Sequence, residues 1–161
     1  MPHIHEKIDF ITGAVIVYND RVLLCDHIAR KSWLPLGGHI ALTEDPDESL
    51  FREIREESGL KRDNLTILTS KPSRKDRSVK FLFTPNFLDI HEFSNTHKHI
   101  GLTYFFISDT DVIELNKNEH HDIKWFSKGE LNDKKYNISP HIKFYAIEAL
   151  KKAKEFHKSN G

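Results

Sequence analysis

The chain has 161 residues, 38% of them hydrophobic and 30% charged, a size and balance that suit one domain over residues 1–161 with its own core. Its 24 basic and 24 acidic residues cancel, so no net field recruits nucleic acid or an anionic membrane, and neither partner is expected. The single cysteine, Cys25, rules out an intrachain disulfide; MPHIHEKIDF lacks signal-peptide character and no apolar run approaches the ~20 residues of a membrane span, so a cytoplasmic location is expected.

Residues 10–18 (FITGAVIVY) are rich in β-branched and aromatic types, and 22–25 continue after a turn at Asn19-Asp20, which predicts a hairpin. Cys25 lies in the apolar run VLLCD and reads as a small buried hydrophobe. KSWLPLGGHIALTE, with Pro35 and the pair Gly37-Gly38, predicts a short strand around Trp33 and then a loop. Asp45-Pro46-Asp47-Glu48 opens a helix: Asp45 suits the N-cap, Pro46 the first turn, and Glu48 completes a capping box. Gly59 suits the position just past its end. Leu50, Phe51 and Ile54 form its apolar stripe, predicted to lie opposite Glu53, Glu56 and Glu57.

Further strands are predicted at 65–69, at 79–90 with a break near Pro85, at 102–108 and at 123–126. Ser139-Pro140 opens a second helix over about 140–157, with Ile142, Tyr145, Ala146, Ala149, Leu150, Ala153 and Phe156 at helical spacing and a frayed HKSNG tail. Strands, a helix, more strands and a closing helix predict a mixed sheet sandwiched by helices.

The segment REIREESGL sets the functional question. Glu53, Glu56 and Glu57 stand at i, i+3 and i+4, so their carboxylates share a face and repel by a few tenths of a kcal/mol per pair. Carboxylate oxygens are the hard ligands Mg²⁺ and Mn²⁺ prefer, and a bound ion turns that repulsion into attraction. A solvated helix face is the alternative.

The wider spacing decides between them. Gly38, Glu44, Arg52, Glu53, Ile54, Glu56, Glu57, Gly59 and Leu60 reproduce G-x5-E-x7-R-E-U-x-E-E-x-G-U, where U is aliphatic, a pattern that resembles the Nudix box. All nine fixed positions agree, which makes the match specific. The resemblance extends to the N-terminal hairpin, the IKWFS strand and the closing helix, and implies an α/β/α sandwich on a mixed β-sheet. It also implies that Glu53, Glu56 and Glu57 bind divalent ions, Mg²⁺ or Mn²⁺, with a further contact from the carbonyl of Gly38. Arg52 matches the arginine that orients a box glutamate, here Glu56, and Glu44 matches one that braces the loop or sits near the metals. Family members add a carboxylate from outside the box as ligand or base, for which Glu119 is the candidate here, with Glu92, Glu114 and Asp122 in reserve. His120 and His121 are either a loop base or simply exposed. Ala41 and Thr43 depart from the Glu and Gly common in such loops.

The implied reaction is hydrolysis of a nucleoside diphosphate linked to another group at its pyrophosphate bond. The Tyr and Pro markers of diadenosine polyphosphate and ADP-ribose hydrolases do not appear at 75–78, and the NADH motif is missing, which leaves small nucleotides such as (d)NTPs in the lead. The basic run SKPSRKDRSVK is either a polyphosphate grip or a solvated loop. Trp33, Phe81 and Phe83 either stack a base or belong to the core. His3, His5, His27, His39, His91, His97, His99, His141 and His157 show no zinc-ligand spacing along the chain. Two other readings stand beside hydrolysis: a nucleotide-sensing or RNA-binding module, and a diphosphate isomerase, which needs a catalytic cysteine. Sequence leaves oligomeric state open, a homodimer included.

Overall fold

A computed structural model of the chain describes residues 5–161; His3 lies outside them. Eight strands form one mixed sheet: β1 (Ile8–Tyr18), β2 (Arg21–His27), β3 (Ser32–Leu34), β4 (Leu36–His39), β5 (Leu65–Ile67), β6 (Phe87–Ser94), β7 (His97–Ser108) and β8 (His120–Ser127). The helices are α1 (Pro46–Ser58), the short α2 (Lys128–Leu131) and α3 (Pro140–Asn160). The strand path is β3-β2-β1-β7-β5, with β4 on β1, β6 on β7 and β8 on β2.

β1 and β7 run parallel from Ile8 opposite Lys98 to Val17 opposite Ile107. Covered on both faces, β1 needs the continuous apolar run AVIV rather than a polar alternation. Its successive side chains still point to opposite sides. Ala14 and Ile16 join Leu23, Cys25, Tyr104 and Phe106 against Leu50 and Ile54 of α1. Val15 and Val17 join Val22, Leu24 and Phe105 against Ala146, Ala149 and Ala153 of α3. The result is the expected α/β/α sandwich, with α1 on one face and α3 on the other.

α1 is capped as its sequence predicts. Asp45 accepts from the Glu48 amide, Glu48 accepts from the Asp45 amide, and Gly59 takes a left-handed φ of 73° while its amide donates to Arg55. Elsewhere the structure differs from the sequence reading. Residues 79–86 form no strand, because Pro85 has no amide to give a ladder and Asn86 takes over the bonding by side chain. Its Oδ1 accepts from the Phe105 amide at 2.8 Å and its Nδ2 donates to the Leu68 carbonyl at 3.0 Å. β7 starts at His97, earlier than 102, since a tight turn at Asn95-Thr96 pairs it with β6. α3 runs on to Asn160 instead of fraying at 157, and Asn160 donates to the Phe156 carbonyl. No helix among the described residues is long and apolar enough to cross a membrane.

Candidate active site

β4 carries the backbone into the site. A side chain at Gly37 would stand 2.0 Å from the Thr12 carbonyl oxygen, and one at Gly38 would stand 2.5 Å from Oε1 of Glu53. The two glycines thus let β4 lie between β1 and α1, with the Glu53 carboxylate directly over the Gly38 backbone.

The three box glutamates do not all lie on the side of α1 opposite its apolar stripe, as the sequence predicts. Glu53 and Glu57 are buried, at 6% and 2% exposure, and only Glu56 is open to water. The helix turns Glu53 and Glu57 toward β4, beside rather than opposite Leu50 and Ile54. Glu57 accepts from the Gly37 amide at 2.9 Å through Oε2, and its Oε1 lies 3.2 Å from Nε2 of His120. Glu53 accepts from Arg52 at 2.8 Å. Burial, and then the neighbouring Glu57, push the Glu53 carboxyl up to about 7. Burial pushes Glu57 up as well, against the pull of His120 and the Gly37 amide. Such carboxylates are held short of the positive charge they need.

Arg52 bonds Glu56 at 3.2 Å, as the sequence suggests, but its principal partner is Glu44. Nε and Nη2 of Arg52 donate to the two oxygens of Glu44 at 2.9 and 2.6 Å. Oε1 of Glu44 also accepts from the Ala41 amide at 2.9 Å. The Glu44 hydrogen bonds, followed by the charge of Glu53, raise Arg52 and keep it cationic. Glu44 therefore braces the loop that leads from β4 into α1 and fixes Arg52 across Glu44, Glu53 and Glu56.

Glu119 sits exposed in the turn before β8 and meets Glu56 across an open cleft of about 450 Å³, lined also by Arg55, Gly59, Glu114 and Asn116. Of the reserve carboxylates, Glu114 shares this cleft, Asp122 caps its neighbour Ile123, and Glu92 lies across from Lys98 in the β6–β7 hairpin. His120 is not an exposed loop residue. It is 1% exposed, within ligand range of Glu57 and Cys25, and packs edge-on against His27. The signal was the alternation of a strand that begins at 120: His120 points in and His121 out.

Trp33 is partly buried and packs on Phe126 and Tyr136 beside the core. Part of the basic run is tied down at the start of α1, with Lys80 on Asp45 at 2.5 Å and Lys71 3.8 Å from Asp47 and over the Phe83 ring.

The donor set fits a hard divalent cation: buried carboxylates with raised pKa, a third carboxylate at the cleft and a side-chain-free backbone at Gly38. The NUDIX domain family model matches residues 10–146. A NUDIX-family hydrolase from Clostridium perfringens is 32% identical with a TM-score of 0.74, over 89% of this chain and 96% of its own. An Ap4A hydrolase from C. elegans (18% identity, TM-score 0.64, 94% and 98% covered) shares the fold. So does a MutT NUDIX hydrolase from Burkholderia pseudomallei (19%, 0.62, 91% and 98%). No curated protein matches the chain. The fold and the match define a hydrolase acting on phosphorus acid anhydrides. The chain belongs to the Nudix family, whose members generally use divalent metal ions.

Proposed function

We propose that this single domain is an Mg²⁺-dependent pyrophosphohydrolase, able to use Mn²⁺, that cleaves small nucleoside diphosphate derivatives such as (d)NTPs in the cytoplasm. The observation that carries the reading is the pair of buried carboxylates with raised pKa, Glu53 over the Gly38 backbone and Glu57 on the Gly37 amide. Glu53, Glu56, Glu57 and the Gly38 carbonyl would hold the ion. An Mg²⁺ ion held there would supply charge to neutralise the phosphates and to lower the pKa of the attacking water. Arg52 holds Glu53 and Glu56 in position, and His120 does the same for Glu57. Glu119, across the cleft, takes the proton of the attacking water. The water oxygen adds to phosphorus, the bridging P–O bond breaks, and a nucleoside monophosphate leaves with a phosphorylated second product.

Intact box glutamates weigh against a sensor or RNA-binding module. Cys25 weighs against an isomerase: it is 1% exposed, and burial followed by the Glu57 charge pushes its thiol well up. The test is a hydrolysis screen with Mg²⁺ over (d)NTPs, dinucleoside polyphosphates, nucleotide sugars and ADP-ribose, with products identified. Preferred turnover of (d)NTPs is expected. Glu57→Gln should fold normally by circular dichroism and lose ~10³-fold or more in turnover. Full activity in that variant would remove the metal-binding assignment, and preference for another panel member would replace the substrate.

A further inference from the structure

Along the chain the histidines show no ligand spacing; across the strands they do. Asp9 of β1 stands directly opposite His99 of β7. His97 is two residues back on the same face of β7. His39 of β4 lies opposite Ile11, which shares a face with Asp9. Ligand atoms of Asp9, His39 and His99 all lie within 4.8 Å of one another. Oδ2 of Asp9 is 3.3 Å from Nε2 of His39 and 3.2 Å from Nε2 of His97. Asp9, His97 and His99 are 1%, 4% and 4% exposed.

This cluster is separate from the glutamate site. Gly38 faces Glu53, and Thr12 meets Ser49 of α1. Asp9, Ile11 and His39 alternate to the other face of the same strands. The two sites therefore sit back to back across β1 and β4.

We infer that Asp9, His39 and His99 form a second metal site, selective for a divalent transition ion of the zinc class, with His97 holding Asp9 from beside it. Two imidazoles and one carboxylate, with a fourth position left for water, are a borderline donor set that Zn²⁺ takes and Mg²⁺ does not favour. Spacing agrees: ligands at 2.0–2.1 Å from a tetrahedral ion lie about 3.3 Å apart, the separation of Asp9 Oδ2 from Nε2 of His39. Nδ1 of His97 is 3.0 Å from the Glu6 carbonyl and its Nε2 is 3.2 Å from Oδ2 of Asp9, so His97 anchors the carboxylate from beside the site. The other oxygen of Asp9 accepts from the His5 amide at 2.8 Å, which fixes the carboxylate. A metal there ties β1, β4 and β7 together one residue from Gly38.

The experiment uses the full chain, stripped with chelator and then given Zn²⁺ in a large excess of Mg²⁺, which keeps the glutamate site filled. One Zn²⁺ retained per chain and a raised Tm are expected. Co²⁺ in its place should give the intense visible absorption of a four-coordinate site. His39→Ala and His99→Ala should lose affinity by at least the ~10–100-fold typical of outer-shell changes, while Glu57→Gln keeps it. No Zn²⁺ retained under excess Mg²⁺, a weak six-coordinate Co²⁺ spectrum, or loss of zinc in Glu57→Gln with retention in His99→Ala would each overturn the proposal. The Co²⁺ spectrum needs no variant, so a histidine substitution that fails to fold leaves the test intact. Nucleotide hydrolysis is not a readout here, so the two readings fail separately.

Discussion

Gly37 and Gly38 are adjacent, yet a methyl group at each should act on a different property. At Gly37 it meets the Thr12 backbone at 2.0 Å, on a residue whose φ is +149°. Backbone cannot step aside there, and Gly37→Ala should lose about 3–5 kcal/mol by chemical denaturation. At Gly38 the obstacle is the end of the Glu53 side chain, which can swing away. Gly38→Ala should therefore keep its Tm within a few degrees while metal affinity, measured by calorimetric Mg²⁺ titration, falls ~10–100-fold. Equal losses of stability in the two variants would contradict this division. Much of the site was legible at this scale, because the box fixes residue types at fixed offsets. What escaped was which glutamates are buried and that His120 holds Glu57. Both depend on which way a side chain turns once β4 and β8 pass close to α1, and no spacing within one segment encodes that.

α1 was readable because its start and stop are local chemistry: a capping box, a proline and a glycine. The segment 79–86 was not, since its bonding runs through one side chain rather than through periodicity. Asn86 closes the gap between Leu68 and Phe105, and removing it leaves a buried amide and a carbonyl unpaired. Asn86→Ala should cost about 2–3 kcal/mol in urea unfolding, whereas Asn118→Ala in an exposed turn should stay within about 0.5 kcal/mol. The β6–β7 hairpin escaped the sequence reading for a related reason. HKH at the start of β7 looks polar and therefore loop-like, but its alternate residues His97 and His99 are buried against Asp9 and the neighbouring rings. A strand built from histidine keeps the alternation while losing the hydrophobicity by which it is normally found.

For the molecule as a whole, the glutamate site couples stability to pH. Glu53 titrates at about 7 in the folded, metal-free chain against an ordinary value of 4.5. Between those values the native state holds a proton the unfolded chain has released, so stability falls as pH rises through that window. Glu57, also raised, acts in the same direction. With chelator present, Tm should be higher at pH 5 than at pH 8, and Glu53→Gln should flatten the slope. Added Mg²⁺ should recover most of the loss at pH 8, since only the folded chain assembles the ligands. A slope of the opposite sign in the chelated protein would show that Glu53 is not held protonated.

The parallel pairing of β1 with β7 also governs the order in which the chain can be finished. Ile8 meets Lys98, a separation of 98 − 8 = 90 residues. The β1–β2 turn can close within microseconds of synthesis, but the opposite edge of β1 has no strand to pair with until β7 leaves the ribosome. At ~5–20 residues per second, that edge, including the apolar run of β1, waits several seconds in the open. Long-range pairing of this kind slows folding and invites self-association during the delay. The strand that supports both candidate sites is thus also the segment of the nascent chain most in need of protection.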